Sequence, residues 1–225
     1  MMKSNRLFWV VWAGFIAYAF LLAPPDRPDT VELIRNLSIG NWDEINPIII
    51  ALFNLMGIWP IAYACMVLID GRSQKIPAWP FALVSFGVGA FALMPYLALR
   101  QPSSAFPGSK NALLKVVDSR ILGLLLTLAS AILVFYGLQG GDWGDFIAQW
   151  QNSRFIHVMS LDFCLLWLLF PALLGDDMAR RGIDNPVAFW VISAIPLFGA
   201  LIYLSWRKPL PEEKAAKLSG EPASG

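Results

Sequence analysis

The sequence predicts an all-α protein built into a bilayer: a polytopic membrane helix bundle of about six transmembrane helices, with short interfacial helices between some of them. Three observations carry this. Hydrophobic residues make up 57% of the chain and charged residues 15%, against roughly 45–50% and 25% in soluble domains. The mean hydropathy is +0.57. All 17 Lys and Arg lie outside the apolar runs or at their edges, and of the 16 acids only Asp162 falls within one. A bilayer enforces that partition, because a charge at the centre of a membrane helix is costly. Finally, six apolar runs reach or approach the ~20 residues that a crossing helix needs.

The first run, residues 7–23, follows Lys3 and Arg6, so a signal peptide competes with a membrane helix. Its 17 residues include Trp9 and Trp12. It is longer and bulkier than the roughly 7–15 residues of a signal h-region, so a retained helix is expected. Between it and the second run, Asp29 and Glu32 have the spacing of a capping box. Val31, Ile34 and Leu37, widened by Leu33, form an apolar stripe, which predicts a short interfacial helix. The second and third runs are residues 47–69 and 79–99. The fourth, 121–138, is the shortest of the later five; it is free of charge and has Tyr136 near one end. Trp143, Phe146 and Trp150 then predict another interfacial helix. The fifth and sixth runs are 155–174 and 186–206. The remainder, 207–225, is polar and rich in Pro and Gly, as in disordered tails. One transmembrane domain, 1–206, is therefore expected.

The halves 7–100 and 121–207 are alike. PYLALR at 95–100 answers IYLSWR at 202–207, and Asn54 and Trp59 answer Asp162 and Trp167. Asp70-Gly-Arg72 and Asp177-Met-Ala-Arg180 each follow the second run of a half. Three crossings per half would relate the halves by inversion, the 3+3 plan of many transporters; chance similarity between apolar segments is the alternative. Lysine and arginine do not orient six spans, since 9 fall on the side of the termini and 8 on the other. The basic N-terminus and tail favour cytoplasmic termini.

Few residues can carry chemistry. Asp162 is an acid within a span, and such residues mark proton, ion or ligand sites; the competing reading is a structural carboxylate, hydrogen-bonded to a neighbouring helix or paired with Arg154. Arg154 lies eight residues earlier, about 80° around the helix, close enough for a snorkelling bridge. His157 is the only histidine. It stands about 140° from Asp162 around the helix, so the two do not share a face. It reads as a pigment ligand, a proton carrier or a satisfied interfacial side chain. Asn54, with Gly57 and Pro60 following, marks a helix that can bend and pack closely. If the repeat is real, Asn54 and Asp162 are symmetry mates near the midplane. Cys65 and Cys164 lie in apolar runs, without the spacing of a metal or redox pair. Net charge +1 gives no electrostatic footprint for nucleic acid. Nucleotide-binding, zinc-protease, Cys-x-x-Cys and serine-hydrolase motifs are absent from the sequence, so catalysis would rest on the few polar groups just named.

The segments Ser153–Phe163 and Asn46–Pro60, with Ile76-Pro-Ala-Trp-Pro-Phe81 and Asp177-Met-Ala-Arg-Arg181, resemble an uncharacterised multi-pass membrane-protein family of cyanobacteria and chloroplasts. The resemblance spans most of Asn46 to Arg181. It implies a photosynthetic host and a thylakoid or plasma membrane, and supplies no catalytic residues. The expected function is that of an accessory membrane protein binding lipid, partner helices or a pigment such as chlorophyll. The alternatives are a small-solute or ion transporter built as an inverted repeat, and an intramembrane lipid or isoprenoid enzyme.

Overall fold

The computed structural model describes residues 2–210, and every regular element among them is helical. In chain order these are α1 (Met2–Leu21), α2 (Thr30–Ile39), α3 (Pro47–Asp70), α4 (Trp79–Val88), α5 (Ala90–Leu99), α6 (Ala112–Val117), α7 (Arg120–Gly140), α8 (Trp143–Asn152), α9 (Arg154–Leu169), α10 (Pro171–Arg180), α11 (Pro186–Ala194) and α12 (Phe198–Trp206). Three stretches, Pro47–Ser73, Arg120–Gly140 and Arg154–Arg180, are helices long and apolar enough to cross a membrane. The last joins α9 to α10 through Phe170, which keeps helical dihedrals ahead of Pro171.

Local sequence explains the helix starts. Asn46 accepts the Ile48 N–H at 3.0 Å, and Pro47 fills the first helical position, where its missing N–H costs nothing. Asp142 caps α8 by accepting the Asp145 N–H at 3.0 Å. The capping box expected at Asp29 does not form. Asp29 makes no side-chain cap bond; its carboxylate is held by Arg27 at 2.9 Å instead. That guanidinium, through its hydrogen bond and charge, keeps the Asp29 carboxyl below its ordinary range.

The third and sixth apolar runs do not cross the bundle. Each folds back on itself, which corrects the expectation of six spans. Were residues 79–99 one helix, Phe81 and Tyr96 would stand about 22 Å apart; their ring centroids are 5.6 Å apart. The break is Gly89, with φ +52 and ψ −125, a conformation that side-chain-bearing residues avoid. The sixth run turns at Ile195-Pro196-Leu197, where α11 ends and Leu197 takes φ +54. Arg181, which precedes α11, hydrogen-bonds the Lys208 carbonyl beyond α12. A continuous helix would separate those two points by about 30 Å.

Each half therefore contains a long helix, an amphipathic helix, a second long helix and a helical hairpin: α1, α2, α3 and α4–α5, then α7, α8, α9–α10 and α11–α12. Both hairpins begin and end at one end of the bundle, here termed the basic end. Asp70, Tyr96 and Arg100 cluster there, as do Asp177, Tyr203 and Arg207, and the clusters touch through Arg180 on Asp70. Inverted halves would place these corresponding trios at opposite ends. The halves run parallel, because a hairpin that re-enters its own side leaves an even number of crossings per half.

At the far end α2 and α8 lie over the bundle. Leu37 packs with Ile49, Ile50, Ile156 and Met159, and the Asn46 amide donates to the Asp142 carbonyl and the Asp145 carboxylate, both at 2.7 Å. Helices α7 and α12 approach closely at Gly123, where a Cβ would lie 2.6 Å from the Ser205 nitrogen. Arg207 and Leu210, expected in a polar tail, are 1% and 3% exposed; residues 211–225 of that tail lie outside the described residues.

Candidate functional site

A hairpin turning inside an apolar bundle creates a chemical problem. The first N–H groups of α5 have no intrahelical acceptor, and water is not there to replace one. Asp162 on α9 meets it: its Oδ1 accepts the Ala90 N–H at 2.9 Å. A carboxylate at a helix N-terminus is favoured by the helix dipole as well. Asp162 is 4% exposed. Its other oxygen rests on the bare α-carbon of Gly89, where a Cβ would come within 1.7 Å of Oδ2. Two independent constraints thus select glycine at 89: the positive φ and the carboxylate.

The same carboxylate lines a cavity of about 490 Å³. Its walls come from α3 (Phe53, Met56, Gly57), the hairpin tip (Ser85 to Gly89, and Phe91) and α9 (Phe155, Val158, Met159), with Ser38 of α2 at the far-end rim. Gly57 keeps the space open: a Cβ built there meets nothing within 4 Å. Asp162 is the one charged residue in the lining, and its Oδ1 bond to Ala90 N–H is its sole hydrogen bond among the described residues.

The other expected site residues are dispersed. Asn54 does not line the cavity; its amide donates to its own helix at the Ile50 carbonyl, 2.8 Å away. The trios are offset by 107 residues, as Asp70 and Asp177 are, whereas Asn54 and Asp162, like Trp59 and Trp167, are offset by 108. Arg154 does not approach Asp162. It binds the Pro24 carbonyl at 3.1 Å and Asp26 at 2.7 Å, tying α9 to the first loop. His157 has both ring nitrogens engaged, Nε2 with the Tyr18 hydroxyl at 2.7 Å and Nδ1 with the Trp150 carbonyl at 3.0 Å. A pigment magnesium could reach its ring only by displacing one of these. Cys65 is buried and Cys164 exposed, both as free thiols. Among the described residues no three His, Cys, Asp or Glu side chains come together as a metal site.

A second polar cluster lies at the basic end, and its residues entered the sequence reading as marks of a repeat only. Asp70, fully buried, accepts Tyr96 Oη at 2.5 Å and a two-pronged Arg100 at 2.8 and 2.7 Å. Asp177, also fully buried, accepts Tyr203 Oη at 2.7 Å, Arg181 at 2.8 Å and Arg207 at 3.2 Å. Arg181 continues to Asp118 at 2.7 Å, and Arg207 to the Val117 carbonyl at 2.7 Å. Buried charges persist when paired, and this lattice links α3, α5, α10 and α12 to Val117 at the end of α6 and to Asp118 beyond it. The signal was present in the sequence: acid, Tyr-x-x-x-Arg, repeated.

No family model, curated protein or solved structure matches the chain.

Proposed function

We propose that the chain is a multi-pass integral membrane accessory protein that crosses the bilayer four times, with two re-entrant hairpins, and holds an apolar ligand beside the first hairpin tip. The observation that carries this reading is the 490 Å³ cavity. Its size falls in the range of small-molecule sites. Phe86 and Val88 at its edge are 54% and 46% exposed on the outer surface of the bundle, so an occupant could enter from the hydrocarbon. Lipid or pigment fits that setting.

Orientation gains support from the hairpins. With both turning back to the basic end, Lys3, Arg6, Arg72, Lys75, Arg100, Lys110, Lys115, Arg120, Arg180, Arg181, Arg207 and Lys208 belong to that side, whereas Arg27, Arg35 and Arg154 belong to the other. A bias of that size orients a protein with its basic side cytoplasmic. The resemblance to a cyanobacterial and plastid family favours a thylakoid or plasma membrane. The transporter reading is weaker. Its halves are parallel, Asn54 and Asp162 do not share a cavity, and the basic end is closed by ion pairs.

The test is native mass spectrometry of the full chain from mild detergent, beside Gly57→Leu. Wild type should carry one lipid-like or pigment adduct, and the variant, at least as stable, should lose it. A wild type without adduct, or an adduct indifferent to the substitution, overturns the proposal.

A further inference from the structure

The polar groups of the cavity point to the head group of its occupant, an inference that rests on the ligand-binding reading above. Three side chains in the lining are polar: Ser38, Ser85 and Asp162. Both serines spend their proton within their own helices. Ser38 donates to the Ile34 carbonyl at 2.7 Å, and Ser85 to the Ala82 carbonyl at 2.7 Å. What they show the cavity is oxygen lone pairs. Asp162 sets its carboxyl in the cavity wall, with Oδ1 on the Ala90 N–H and Oδ2 without a hydrogen-bond partner among the described residues.

The hairpin turn adds more of the same. In a continuous helix the Ala90 N–H would bond the Phe86 carbonyl. Here it is taken by Asp162, so the carbonyl of Phe86, a lining residue, loses that donor. The C-terminal end of α4 is the negative end of its dipole. No lysine, arginine or histidine lines the cavity. Acceptors thus face an apolar space with no donor side chain to meet them, and unpaired polar groups in such surroundings are costly.

We infer that the occupant is a single-chain amphiphile whose head donates hydrogen bonds, a hydroxyl or a protonated amine, placed against Asp162 Oδ2 with its chain along Phe53, Met56 and Phe155. Anionic heads are rejected, since they would meet an acidic side chain and the negative helix end with no cation in the lining to balance them. Heads that only accept leave the same oxygens unsatisfied.

The experiment uses the full chain in lipid nanodiscs and four photoreactive tetradecyl probes with a mid-chain diazirine, differing only in head: alcohol, amine, carboxylate and methyl ether. Cross-linking to peptides spanning residues 53–57, 85–91 and 155–162 is quantified by mass spectrometry. Alcohol and amine should label these peptides at least about tenfold more than carboxylate and ether, a difference of roughly 1.4 kcal/mol. Gly57→Leu should abolish labelling by every probe. Asp162→Asn, which keeps an acceptor for Ala90 but turns a donor toward the cavity, should erase the preference. Equal labelling by all four heads, lost in Gly57→Leu, overturns the head-group inference and leaves the ligand reading standing. Full preference retained in Asp162→Asn overturns the role of Asp162. No labelling of wild type at these peptides overturns the ligand reading itself.

Discussion

The two hairpin tips share a scaffold and differ in what fills them. At the first, Gly89 turns the chain, a carboxylate from α9 caps α5, and a cavity opens beside it. At the second, Leu197 turns the chain at φ +54 and is 1% exposed. There the Trp167 indole donates to the Ser193 carbonyl at 2.8 Å, and α12 starts so close to α11 that a Cβ on Gly199 would lie 1.9 Å from the Ile192 oxygen. Leu55, which precedes Asp162 by the 107 residues that separate the trios, is apolar and buried. Two like frames thus carry different tips, one closed on a buried leucine and the other furnished with an acid and space.

The largest expected effect lies in what the tips share. Asp70→Asn removes the buried charge that Arg100 and Arg180 share, and Asp177→Asn the one that Arg181 and Arg207 share. Each should cost about 3–5 kcal/mol, read as a fall in thermal unfolding midpoint in detergent. A loss in one half alone would break the equivalence of the two frames. Next is Gly89→Ala, where positive φ and the Asp162 oxygen both oppose a methyl group; about 1–3 kcal/mol should be lost, with amphiphile labelling. Trp167→Phe removes the corresponding bond at the second tip and should cost about 1 kcal/mol without changing labelling. A labelling change there would mean that the tips are coupled. The smallest stability effect belongs to Gly57→Leu, which should gain about 0.8 kcal/mol from helix propensity while emptying the first site.

The apolar runs showed in the sequence where the helices lie, and PYLALR and IYLSWR marked two segments that meet like partners at the same end of the bundle. The foldbacks were hidden, because 79–99 and 186–206 have the length of crossing helices. Their turns rest on Gly89 and on Pro196-Leu197, residues that membrane helices also tolerate as kinks. Counting those runs as crossings then inverted the second half and dispersed the basic residues over both sides. Asp162 was legible as an anomaly, since an acid among apolar residues is visible without a structure. Its partner was not: Ala90 is 72 residues away and contributes only a backbone N–H, which every non-proline residue has. Asn54 was legible as a polar residue in a span, but its amide turns to its own helix and not to the cavity.

The cap on α5 also sets an order of events during synthesis. Asp162 leaves the ribosome 72 residues after Ala90, a delay of roughly 4–14 s at ordinary elongation rates. Through that interval the first hairpin can close Asp70 on Tyr96 and Arg100, all already made, but its tip has no acceptor from the second half. The early chain is thus a half-latched intermediate, and a ribosome stalled before α9 emerges would hold it in that state.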